Sequence, residues 1–226
     1  MTRRNALTRA HLTTPRAAVI AGMLFSILLI TAFVLFRVSA PTIQEEPGAW
    51  LSTNSNTVAL ALNLVPFAGI AFLWFIGVIR DRLSDLEDRF FATVFLGSGI
   101  LFLGMLFSWA AVTGAMLTAF GADGATQPAS SAAFAFARAD AYSILNVYMI
   151  KMAGVFMIST STVAVYTRFT PRWLAIAGYV LSLILLFGSY YLSWCFVVFP
   201  IWVFLISLFI LKENMSRPSE AAISRE

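Results

Sequence analysis

The residue whose type and position could most readily do chemistry is Lys151, because it lies well inside the otherwise uncharged apolar stretch 141–166. Ionisable residues inside a membrane span are costly, and they usually face the bundle interior or a water-filled cavity with a partner nearby. Helical side chains lean toward the N-terminus of their helix, so the ammonium is expected to point toward residue 141. Lys151 is therefore the first candidate for a binding role.

A proline in a neighbouring apolar stretch suggests a partner for this lysine. Pro66 follows Asn63 by three positions, removes one backbone hydrogen bond and exposes the carbonyl of Leu62 in an apolar medium. A donor for that carbonyl would complete an outward-facing polar pocket between the second, third and fourth spans. The alternative is a lysine that extends to the headgroups with no cavity at all. The predicted ligand-binding residues are Lys151, Asn63, Tyr148 and Ser108.

Groups that catalyse reactions or bind metals are scarce. The single cysteine, Cys195, rules out a disulfide within the chain and any CxxC site, and the single histidine, His11, lies near the N-terminus. There is no H-E-x-x-H, G-x-S-x-G or P-loop motif. Within the predicted spans the acidic residues are limited to Asp140, at a boundary, which argues against carboxylate proton relays and sodium sites. We therefore expect no metal, no cofactor and no enzymatic activity.

The composition places these residues in a membrane. The 226 residues are 60% hydrophobic and 12% charged, with a mean hydropathy of +0.84. Because a helix needs roughly 20 apolar residues to cross about 30 Å of hydrocarbon, we predict an all-α, single membrane domain of six transmembrane helices. The predicted spans are residues 17–36, 57–79, 90–120, 141–166, 173–188 and 194–211. Pro66 and Pro200 are expected to bend the second span and the middle of the sixth.

Lys and Arg residues are distributed unevenly between the segments predicted on the two sides of the membrane. With the N-terminus inside, twelve Lys and Arg residues fall on inner segments and only Arg37 and Arg138 on outer ones. This asymmetry predicts cytoplasmic tails at 1–16 and 212–226 and a multi-pass protein of the plasma membrane.

Two segments of the chain echo each other. Residues 14–29 (TPRAAVIAGMLFSILL) and 170–185 (TPRWLAIAGYVLSLIL) share Thr, Pro, Arg, Ile, Ala, Gly and Ser at matching positions. Thr170 is the predicted N-cap of its helix, with Pro171 at the first helical position. Duplication of a two-helix unit would explain the echo, and so would convergence on a helix cap, an inner arginine and small packing residues.

The second of these segments contains a motif that is also found in a group of bacterial membrane proteins. Over most of its length the chain resembles uncharacterised six- or seven-helix membrane proteins of bacteria in which a late span opens with Pro-Arg-Trp-Leu, here residues 171–174. The resemblance implies a bacterial multi-pass protein and adds no activity, cofactor or site residue.

Three functions fit these features. The first is a non-enzymatic accessory or sensing protein that holds a small anionic or lipid-headgroup ligand near Lys151 from the outer side. The alternative is a small-solute or lipid transporter using the same pocket. A lipid-modifying enzyme would have to rely on the weak set Lys151, Tyr148 and Asp140. The expected partners are the bilayer and either a membrane protein or a small anionic or lipid ligand. Nucleic acid is not expected, because tails of about 15 residues hold no binding module of the usual domain size.

Overall fold

All regular structure is helical in the computed structural model, which describes residues 14–40, 48–83, 89–121, 131–167, 170–188 and 194–223. In chain order the helices are α1 (Thr14–Ser39), α2 (Ala49–Thr53), α3 (Ser55–Leu83), α4 (Arg89–Phe120), α5 (Ala132–Ser143), α6 (Ile150–Thr167), α7 (Arg172–Phe187) and α8 (Cys195–Ile223). A π-helical segment, Ile144–Met149, joins α5 to α6 and is called the π segment below. The all-α prediction is confirmed.

Five helical segments in the described residues are long and apolar enough to cross a membrane. They are Val19–Ser39, Ser55–Gly77, Thr93–Phe120, Ala132–Tyr166 and Cys195–Lys212. The apolar helix α7 has 16 residues and a length of about 24 Å, which is somewhat less than the hydrocarbon thickness of about 30 Å. These lengths and compositions fit a membrane protein.

The helix over the fourth predicted span is longer than the sequence suggested. It begins nine residues earlier and runs through α5, the π segment and α6 as the 35-residue stretch Ala132–Tyr166, which is about 52 Å long. The hydroxyl of Ser131 caps its start by accepting a hydrogen bond from the Phe134 N–H at 3.3 Å. Hydropathy missed the first turns because Arg138 and Asp140 lower the apolar average without preventing helix formation.

The ends of the last two helices also depart from the predictions. Pro171, rather than Thr170, is the N-cap of α7, and no side chain caps that end. Its carbonyl accepts the Leu174 N–H at 3.0 Å, so backbone alone starts the helix. At the other end of the chain, α8 continues to Ile223 and thus includes most of the predicted tail 212–226, whereas residues 1–13 of the N-terminal tail lie outside the described residues.

Both prolines predicted to bend spans lie inside helices. Pro66 is within α3, and Pro200 is the sixth residue of α8 and is buried. Pro200 is therefore near the beginning of its helix, not near the middle, because α8 extends well beyond the apolar stretch. Each proline lacks the N–H of a helical hydrogen bond, and bends at the two positions stay predictions.

The centre of the bundle is filled by one phenylalanine from each of the five long helices. This phenylalanine cluster consists of Phe25 of α1, Phe72 of α3, Phe102 of α4, Phe156 of α6 and Phe199 of α8, each 2% exposed or less. The ring centroids of Phe25 and Phe72 lie 4.6 Å apart, and those of Phe156 and Phe199 lie 5.7 Å apart, mostly in tilted or edge-to-face arrangements that aromatic rings prefer. The core at the place where these five helices meet is therefore aromatic.

The two echoing segments dock in the same way but have different neighbours. A Cβ added to Gly22 of α1 would contact the Ser207 hydroxyl of α8, and one added to Gly178 of α7 would contact the Ser161 hydroxyl of α6 and the Trp202 ring of α8. However, α1 packs mainly along α3, the next long helix, whereas α7 packs mainly along α6, the helix before it. A duplicated two-helix unit would repeat its internal packing, so the arrangement supports convergence on small docking residues.

Candidate functional site

Lys151 lies on the exposed surface of the bundle, at the second position of α6. Within the part of the chain that the structure describes, its ammonium has no hydrogen-bond or ion-pair partner. Tyr148, three residues earlier and on the adjoining helical face, is 57% exposed. An ammonium and a phenol hydroxyl are therefore both exposed, on residues three positions apart.

Asn63 and Ser108, two of the other predicted ligand-binding residues, donate hydrogen bonds within their own helices. Asn63 is exposed on α3 and donates to the Ala59 carbonyl of its own helix at 2.9 Å. Ser108 is exposed on α4 and donates to the Gly104 carbonyl of its own helix at 2.8 Å. Neither of these hydrogen bonds joins its side chain to Lys151, and the pocket between the second, third and fourth spans stays a prediction. Ligand binding by these residues stays a prediction, with Lys151 and Tyr148 as neighbours.

The π segment directly precedes Lys151. A π turn contains one residue more than an α turn, so some carbonyls lose their usual backbone donor, and such turns are frequent at functional sites. Within this segment Asn146 donates from Nδ2 to the Tyr142 carbonyl at 3.0 Å. Ser143 donates in the same way to the Ala139 carbonyl at 2.9 Å. The extra residue also rotates the preceding helix by about 100° relative to α6, and thus sets which side chains of α5 flank the lysine.

The height of Lys151 along the bundle follows from α6 and α7 together. Sixteen residues, or about 24 Å of helix, separate Lys151 from the end of α6 at Thr167. The antiparallel helix α7 contacts α6 closely at Gly154, where an added Cβ would lie 3.3 Å from the Ser182 carbonyl oxygen. Lys151 lies one turn beyond that contact, near the end of α7, where Phe187 is 78% exposed. Lys151 therefore lies just beyond the part of α6 that packs against α7.

A second group of polar side chains, which sequence reasoning missed, lies between α6, α7 and α8. Four consecutive hydroxyl residues occur on α6, and three of them donate to the carbonyl four positions earlier. The exception is Ser161, which is fully buried and has no hydrogen-bond partner. The indole nitrogen of Trp202 is likewise buried without a partner, and it would lie 3.0 Å from a Cβ at Gly178. The two unpartnered polar atoms thus approach the same glycine.

A direct hydrogen bond lies next to this glycine. The hydroxyls of Thr162 on α6 and Tyr179 on α7 are 2.7 Å apart. Together with the close approach at Gly178, this bond ties α7 to α6. The sequence contained one signal for the contact, because Gly178 occupies the same position in the second echoing segment as Gly22 does in the first.

No family model, curated protein or solved structure matches the chain. Among the described residues, no group of three or more His, Cys, Asp or Glu side chains is arranged to hold a metal ion. The candidate pair Lys151 and Tyr148 offers an ammonium and a phenol O–H, which are hydrogen-bond donors suited to an oxyanion.

Proposed function

We propose that the chain is a multi-pass protein of the plasma membrane that crosses the bilayer six times, with both termini in the cytoplasm. The bias of Lys and Arg toward one side supports this topology. Support for counting α7 as a crossing comes from its apolar composition and its packing along α6. A helix of about 24 Å can cross where the bilayer thins locally.

Cysteine labelling in intact cells tests this topology. In a background with Cys195→Ser, the variant Gln44→Cys should react with an impermeant maleimide, and Ser84→Cys should react only after permeabilisation. Ser224→Cys tests α7 itself. If α7 does not cross, the C-terminus moves outside and Ser224→Cys reacts in intact cells.

For the activity, we propose a non-enzymatic accessory or sensing role in which Lys151 binds a small anionic or lipid-headgroup ligand from the outer side. The observation that supports it is the exposed lysine with no partner among the described residues. An unpaired ionisable group in a span is costly, and a ligand of opposite charge would supply the pairing.

The lysine content of the chain allows a direct test. Only Lys151 and Lys212 occur in the sequence, so ¹⁵N labelling of lysine side chains gives two ammonium signals. Titration with inorganic phosphate should shift the signal that Lys151→Met removes, while the Lys212 signal serves as the internal control. Equal, small changes in both signals would contradict the proposal.

The transporter alternative requires a path through the bundle. The phenylalanine cluster occupies the place where the five long helices meet, and a central path would have to separate those rings. Phosphate flux into reconstituted vesicles distinguishes the two functions. Flux that is present in the wild type and lost in Lys151→Met would favour transport, and flux absent from both would favour the accessory role.

A further inference from the structure

We infer that the ligand of Lys151 is a membrane phospholipid, whose phosphate binds the Lys151 ammonium and the Tyr148 hydroxyl while its acyl chains lie against the exposed face of α7. This inference rests on the proposed binding role of Lys151. It replaces the broader class of small anions with one ligand that reaches the site from within the bilayer.

The height of the lysine favours a lipid over a soluble anion. If the end of α6 at Thr167 marks one boundary of the hydrocarbon, Lys151 lies about 24 Å away, or roughly 6 Å short of the opposite boundary. Its side chain leans toward the N-terminus of the helix and therefore toward that nearer boundary. A lysine at this depth brings its ammonium to the level of lipid phosphates.

The direction in which Lys151 is open also favours a lipid. The residue is exposed on the outside of the bundle. A soluble anion loses translational freedom when it binds there, whereas a lipid phosphate is already held at the interface by its chains. The ammonium and the phosphate are complementary in charge, and hydrogen bonds between such ions are among the stronger ones in proteins.

The remainder of the proposed surface is apolar. Large apolar side chains recur on α7 at spacings of three and four residues and form one exposed stripe along the helix. The members of this stripe are Trp173, Ile176, Val180, Leu183 and Phe187, each more than half exposed. Its last residue, Phe187, lies near the height of Lys151, so a headgroup at the lysine places the acyl chains beside α7.

Native mass spectrometry with added phosphatidylglycerol tests the inference, using three variants of the full chain in neutral detergent. Lys151→Met should bind the lipid at least about tenfold more weakly, because it keeps the length of the side chain and loses the charged donor. Lys151→Arg should bind like the wild type. Arg138→Met is the matched control, since Arg138 is an exposed cation of α5 about 20 Å farther along the same continuous helix, and it should bind like the wild type.

The outcomes separate this inference from the proposed function. Lipid binding that Lys151→Met and Arg138→Met weaken equally, or that neither weakens, would overturn the inference. If inorganic phosphate still shifts the Lys151 ammonium signal in that case, the binding role of Lys151 stands with a soluble anion as ligand. If neither probe responds to Lys151, both proposals are wrong. Because Lys151 is exposed, its replacement removes no core contact, and a folding defect is not expected.

Discussion

Gly178→Ala is expected to destabilise the bundle even though alanine is the better helix former. The added Cβ would contact the Ser161 hydroxyl and would lie 2.9 Å from Cζ2 and 3.0 Å from Nε1 of Trp202. The serine hydroxyl can rotate away, but the indole ring is almost completely buried and has little freedom to move. The predicted perturbation is therefore a clash between α7 and α8.

The size of the effect follows from comparison with a second glycine. A Cβ at Gly104 of α4 would meet no atom within 4 Å, so Gly104→Ala changes only the helix propensity. That contribution, up to about 1 kcal/mol in favour of alanine, is common to both variants and cancels in their difference. What remains is the overpacking cost at Gly178, about 1 to 3 kcal/mol.

The assay is reversible unfolding of the two variants and the wild type in the same detergent. The double variant Gly178→Ala/Ser161→Ala adds a further test, because Ser161→Ala removes the hydroxyl that the added Cβ would contact and breaks no hydrogen bond. Ser161→Ala should restore part of the stability lost in Gly178→Ala, giving a non-additive cycle. Equal stability of Gly178→Ala and Gly104→Ala would refute the close packing of α7 against α8.

Three other predictions concern contacts elsewhere in the bundle. Phe72→Ala should lower the free energy of unfolding by about 3 kcal/mol, because it leaves a cavity in the phenylalanine cluster. Phe67→Ala, at a 63% exposed position of the same helix, should change the free energy of unfolding little. Equal losses in the two variants would contradict the burial of Phe72 in the cluster. Tyr179→Phe should cost about 1 kcal/mol by removing the hydrogen bond to Thr162, and it should cost nothing further in a Thr162→Val background, where that bond is already lost; an undiminished cost in that background would contradict the bond. Asn54→Ala should speed amide exchange at the end of α1 by removing the side-chain donor to the carbonyl of its last residue, and unchanged exchange would show that this hydrogen bond is dispensable.

Part of the candidate site could be predicted from the sequence. Lys151 stands out because a charge inside a long apolar stretch is anomalous whatever the fold. Its neighbour Tyr148 follows from helical spacing alone. Asn63 and Ser108 are grouped with them as possible donors to the Leu62 carbonyl that Pro66 exposes, but both donate to carbonyls of their own helices. Such bonds to the carbonyl four residues earlier are always within reach, so they compete with any partner on another helix.

The sequence by itself determined the helical class and the positions of the apolar stretches, because these depend on local composition. Only the tertiary structure decided which face of each helix is buried. In a soluble helix the polar face marks the exterior, but here lipid and core are both apolar, so Phe67 and Phe72 of α3 look alike in the sequence and differ completely in exposure. The same ambiguity hid the convergence of Ser161 and Trp202 on Gly178, and it left open whether Lys151 faces the interior or the bilayer until the helices were packed.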